Sequence, residues 1–195
     1  MPDEPTRRAD WVLAAVELLG RAGRHGTVCV RGESMRPTLR PGQRLAVEFS
    51  PEAPRTGDLL LFRQGDQLLV HRLLGAARPL RGRRRLRTRG DGVPTLDPPL
   101  DLDRIVGRVV AVEDGAAWRS TRRRTARAYA WLLARHDLFW AAVGAIARAI
   151  DRRSARRPWV PRLCPLVAAV DRRLLRGVHR ALFHFAHARV PRPVP

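Results

Sequence analysis

The sequence predicts an α+β protein: a small, coiled, barrel-like β-sheet core followed by basic amphipathic C-terminal helices. Three observations carry this. Up to about residue 114, short apolar runs alternate with Gly- and Pro-rich turn signals, the pattern of short strands in a compact sheet. After about residue 119 the apolar spacing becomes helical. The charge changes at the same place: residues 1–118 hold 20 Arg against 15 acidic residues, and residues 119–195 hold 18 Arg against 3. The expected division is therefore a lead-in over 1–26, a core over 27–118 and an Arg-rich helical extension over 119–195.

Residues 10–22 read as a short amphipathic helix, with Asp10 placed to cap its N-terminus. The strands come next as "TVCV", "QRLAVEF", "DLLLF", "QLLVHRLL", "LRTR" and "RIVGRVVAV". In "QRLAVEF" the alternation puts Leu45, Val47 and Phe49 on one face. Turns are marked by "RPGQ", "SPEAPRTGD", "RQGD", "RGDG" and "DPP". The basic run "RGRRRLRTR" (81–89) reads as a solvated hairpin loop before "GDG". Beyond the core, "AYAWLLARHDLFWAAVGAIARAI" (128–150) is interrupted by Arg135, His136 and Asp137. Such charges are costly in mid-bilayer, so two shorter helices are expected in place of one membrane span. A further helix is expected over 166–189, with Val167, Val170, Leu174, Val178 and Phe185 forming a stripe and arginines to its side.

Composition narrows the chemistry. With 45% hydrophobic and 29% charged residues, a chain of 195 can build a core. The formal net charge is +20, and every one of the 38 basic residues is Arg. A neutral lysine amine is therefore excluded as a catalytic base. Cys29 and Cys164 match no metal spacing and no disulfide framework. His184 and His187 have metal-like spacing but no acidic or cysteine partners, and His25, His136 and His179 sit in no motif. No cofactor and no metal is expected.

The segment "RGESMRPTLRPGQ" (31–43) holds Ser34 between a glycine and prolines, where an ordinary turn is one reading and an exposed nucleophile another. Four later segments, taken in order, decide between them: "RTGDLLLF" (55–62), "LLVHRLLG" (68–75), "RTRGDG" (87–92) and "RIVGRVVAV" (104–112). This series resembles the S26 signal peptidase family, within the wider S24/S26 serine peptidase group, over roughly residues 27–113. The position that is commonly lysine in the bacterial form, and in the self-cleaving repressors of S24, is His71 here. The chain is thus similar to the archaeal and endoplasmic-reticulum type, which pairs serine with histidine and aspartate.

The resemblance implies an S24/S26-like peptidase core in which Ser34 is the nucleophile and His71 the base, with an aspartate behind the ring. The substitution is chemically sound. A serine hydroxyl needs a base, and imidazole, with an ordinary pKa of about 6.5, is largely neutral near pH 7, whereas lysine must be desolvated to serve. Histidine also needs its tautomer fixed by a carboxylate. Two candidates exist, Asp97 and Asp91; Asp97 is preferred as the orienting group and Asp91 as a supporting one. The choice stays open, because "GDGVPTLD" lacks the polar Asn pair often found after the family's Gly-Asp. By the same resemblance Gly32 and the Ser34 N–H belong to an oxyanion site, and Met35 packs beneath the nucleophile or against the substrate pocket. Asp58 reads as a turn carboxylate.

The implied activity is a serine endopeptidase of the signal-peptidase type that cuts precursor or signal-like peptides; the alternative is an inactive relative that keeps the S26 fold, or a basic membrane- or nucleic-acid-binding module. The extension over 119–195 is a candidate for peripheral contact with an anionic membrane, and the competing reading has it packed on the core with arginines in water. Nucleic acid is a less favoured partner, because aromatic residues are only 6% and stacking platforms are few. Without a clear span or secretory signal, the expected location is the membrane periphery or the cytoplasm.

Overall fold

The computed structural model describes residues 25–49, 53–153, 186–187 and 189–191, together with Leu18. The helices expected over 10–22 and 166–189 fall almost wholly outside the described residues.

Among the described residues, nine antiparallel strands form one sheet: β1 His25–Cys29, β2 Arg44–Phe49, β3 Leu59–Gln64, β4 Gln67–Leu80, β5 Arg83–Arg89, β6 Leu100–Asp101, β7 Ile105–Asp114, β8 Ala117–Ser120 and β9 Arg189–Val190. The main path runs β1-β2-β7-β3-β4-β5-β6, with β8 on β7 and β9 on β8. A long helix, α1 Arg124–Arg153, comes after β8. The architecture is thus mostly antiparallel sheet with a C-terminal helix.

Three expectations are corrected. The barrel-like sheet does not close. Its path ends on β6, which is two residues long and comes directly after Pro98 and Pro99, whose missing N–H groups cannot extend a ladder. The expected loop over 81–89 is instead largely β5, joined to β4 by a two-residue turn at Arg81 and Gly82, both at positive φ (49° and 76°). Leu86 and Thr88 alternate inward while Arg83 and Arg84 stay in solvent, so the arginine run accommodates a strand. Finally, α1 runs unbroken through Arg135, His136 and Asp137. Charges that would be costly in lipid do not interrupt a helix in water, and Asp137 finds an ion-pair partner in Arg89.

The core explains why "LLLF" is continuously apolar. Leu59 and Leu61 enter one cluster with Met35, Leu39, Leu45, Val47, Phe49, Val109 and Val112. Leu60 and Phe62 enter another with Leu73, Leu86 and Leu100. Strand β3 is therefore buried on both faces, which removes the polar half of the usual alternation. The three same-face residues of β2 all join the first cluster, as its alternation predicts.

Helix α1 packs on the sheet through small residues. Ala126 and Ala134 are fully buried, and Gly57 (φ +96°) lies so close that a Cβ there would sit 2.8 Å from the Ala130 carbonyl carbon. That approach leaves no room for a larger side chain at Gly57, and brings the α1 backbone at Ala130 directly onto the turn before β3.

Candidate active site

Ser34 lies in the turn between β1 and β2. The turn is held by the Arg36 N–H donating to the Glu33 carbonyl (3.0 Å) and the Leu39 N–H donating to the Met35 carbonyl (2.9 Å). Met35 and Leu39 drive into the first core cluster and fasten the turn from below. Met35 is 2% exposed, so of its two expected positions it takes the one beneath Ser34, away from any open pocket. Ser34 itself stays half-buried. At Gly32 a Cβ would meet nothing within 4 Å, so this flank of the site is open.

His71 comes from the middle of β4, opposite Leu60 of β3. The ring is 5% exposed and packs edge-on against Phe62, with centroids 5.9 Å apart. Its Nε2 lies 3.0 Å from Ser34 Oγ, and its Nδ1 lies 2.7 Å from Asp97 Oδ2. A carboxylate only accepts, so in the neutral ring the Nδ1–H donates to Asp97. That leaves the Nε2 lone pair to accept from the Ser34 hydroxyl. The chain thus brings together a hydroxyl, an imidazole and a carboxylate from three segments separated by 37 and 26 residues.

Asp91 stands elsewhere. It takes both arms of the Arg72 guanidinium, from Nε at 2.9 Å and Nη2 at 2.6 Å, and it accepts from the Thr38 hydroxyl. Arg72 also donates to the Gly57 carbonyl at 3.0 Å. Burial pulls the Arg72 guanidinium down, but Asp91 more than offsets it, and the net shift is upward. Asp91 therefore ties β4 to the Ser34 turn through Thr38, and of the two candidates it is Asp97 that reaches the imidazole. Asp58 accepts from the Arg55 N–H at 2.8 Å within its turn, and lies 3.5 Å from Arg108.

Sequence reasoning passed over three residues here. Thr88, fully buried, donates its hydroxyl to Asp97 Oδ2 at 2.7 Å, and its carbonyl accepts from the Asp97 N–H at 3.1 Å. The available signal was alternation: Thr88 shares the inward face of β5 with Leu86, and a buried hydroxyl requires a partner. Gly90 is the second. A Cβ there would lie 2.5 Å from the Ser34 carbonyl oxygen and 3.0 Å from His71 Nε2, so only glycine fits between Ser34 and His71. Two residues on, the Gly92 N–H donates to that same Ser34 carbonyl at 2.8 Å. The third is Arg72, beside His71 in the sequence but given no role.

Among the other histidines, His136 accepts from the Trp140 indole N–H at 3.0 Å, and His187 is buried edge-on to Tyr129. No group of three or more metal-ligating side chains occurs among the described residues.

A family model described as Peptidase S24-like matches residues 8–110. No curated protein matches the chain. Just over half of the sequence lies within the family match, and the chain belongs to the Peptidase S24-like family.

Proposed function

We propose that this member of the Peptidase S24-like family is a serine endopeptidase of the signal-peptidase type, acting on precursor or signal-like peptides. The observation that carries the reading is the hydrogen-bonded series from Ser34 Oγ through His71 to Asp97. A family of serine peptidases and a serine already in contact with a general base support one chemistry, acyl transfer.

In this reading Ser34 Oγ forms a bond to the peptide carbonyl carbon while its proton passes to His71 Nε2. The tetrahedral oxyanion is met by the Ser34 N–H on the open Gly32 side. It collapses, the C–N bond breaks, and His71 returns the proton to the leaving nitrogen. Water then adds to the acyl ester, giving its proton to His71, and the second collapse frees the carboxylate product and restores Ser34. Asp97 holds the Nδ1–H tautomer and stabilises the imidazolium formed in each half-reaction. Asp91 acts through structure, fixing the nucleophile turn. The S26 type of substrate, an extended segment with small side chains before the cut, is inferred from the motif order and from histidine in the base position.

The test is incubation with a panel of precursor peptides, with products mapped by mass spectrometry. Cleavage is expected at one class of site, and Ser34→Ala and His71→Ala are each expected to abolish it with the fold intact. Full turnover by either variant would remove the mechanism.

A further inference from the structure

Helix α1 leaves several large apolar side chains on its solvent face, where a helix packed on a sheet ordinarily carries polar ones. The side chains it buries fully are small or charged, Ala126, Ala134 and the Asp137 of the Asp137–Arg89 ion pair, with Tyr129 and Leu133 half-buried beside them. Its outward face carries the large apolar side chains, with Trp131 49% exposed, Leu132 59%, Phe139 60% and Ile146 60%. Leu132, Phe139 and Ile146 are spaced by sevens and therefore lie along one line of the helix. Together the four expose on the order of 400 Å² of side chain, the scale at which a bare patch marks an interaction.

Charge identifies the occupant. Arg124, Arg127 and Arg135 are exposed on the same helix, and the Arg135 guanidinium sits 5.7 Å over the Trp131 ring. The acidic side chain of Asp137 is turned inward to Arg89. A second copy docked on this face would set arginines against arginines. A lipid surface has no such conflict. Its acyl boundary takes the Trp, Phe, Leu and Ile side chains, while the arginine stems lie along them and carry their charges to the phosphates. No helix among the described residues is long and apolar enough to cross a membrane, so the geometry is one of lying on the surface.

We propose that the outward face of α1, centred on Trp131, Leu132, Phe139 and Ile146 and rimmed by Arg124, Arg127 and Arg135, docks on an anionic bilayer surface. The full chain is tested by co-sedimentation with vesicles of phosphatidylcholine alone and of phosphatidylcholine with phosphatidylglycerol, at low and high salt. Binding is expected only to the anionic vesicles, weakening as salt rises. Replacing all four apolar residues by serine is expected to lower that binding roughly tenfold or more. Since these side chains are exposed, the thermal unfolding midpoint should stay unchanged. A readout independent of the multiple variant is quenching by brominated lipid, expected to be smaller in Trp131→Phe than in the parent.

Three results would overturn the proposal. The parent chain fails to pellet with anionic vesicles at low salt; the serine variant pellets as well as the parent, which moves the attraction to arginines elsewhere; or the four residues support a dimer or an acidic-protein complex with no lipid binding. None of these outcomes bears on whether Ser34 cleaves peptides.

Discussion

Thr88 has no charge and is not a nucleophile, yet its hydroxyl and its carbonyl both hold Asp97. Removing that hydroxyl leaves the carboxylate free to turn from the ring and lose control of the tautomer. A hydrogen bond to a charged group contributes about 1.5–3 kcal/mol, so Thr88→Val is expected to lower kcat on a cleaved peptide by roughly tenfold or more. KM should change little, because the substrate does not touch this residue. A drop in KM-linked binding with kcat intact would contradict the assignment. Gly90 is limited by space. An added methyl at 2.5 Å from the Ser34 carbonyl forces Ser34 and His71 apart, and under the proposed mechanism Gly90→Ala is expected to cost more than about a hundredfold in kcat. Circular dichroism should still report the native sheet.

At the scale of elements, the Arg89–Asp137 ion pair fastens α1 to β5, one residue from Gly90. Both side chains are buried, and burial foremost raises the Asp137 carboxyl while Arg89 pulls it down. Such a pair adds little net stability over an apolar contact, but breaking it strands a charge. Asp137→Ala is accordingly expected to destabilise the fold by about 3 kcal/mol in urea unfolding. The double replacement of Arg89 and Asp137 by apolar residues should recover most of the loss. If the single variant were as stable as the parent, the pair would not be holding the helix.

For the molecule as a whole, acid should act through pairs such as Glu48 with Arg108, which join β2 to β7 at 2.6 Å. Burial alone would push the Glu48 carboxyl up, but Arg108 more than offsets it and leaves the group below its ordinary 4.5. A depressed carboxyl stabilises the fold above its unfolded value and loses that contribution as pH falls through the folded one. Stability measured by urea unfolding is therefore expected to decline below about pH 4.5, and Glu48→Gln should flatten that decline. A variant with the same acid slope as the parent would assign the slope to other groups.

Local chemistry determined the strand positions of the core and the turn around Ser34, because alternation and Gly/Pro punctuation are short-range signals; the candidates for hydroxyl, base and acid came instead from the resemblance that the ordered motifs carry. Tertiary structure was needed for anything set by two segments meeting. Asp97 and Asp91 look alike along the chain, and only the folding of the loop over 90–99 against β4 sends one to His71 and the other to Arg72. The open sheet depended on how far β6 could pair, and the unbroken α1 on Asp137 finding Arg89 across 48 residues of sequence. The outward placement of Trp131 and Phe139 was likewise hidden, since periodicity shows that a helix has an apolar side but not which side the sheet leaves room for.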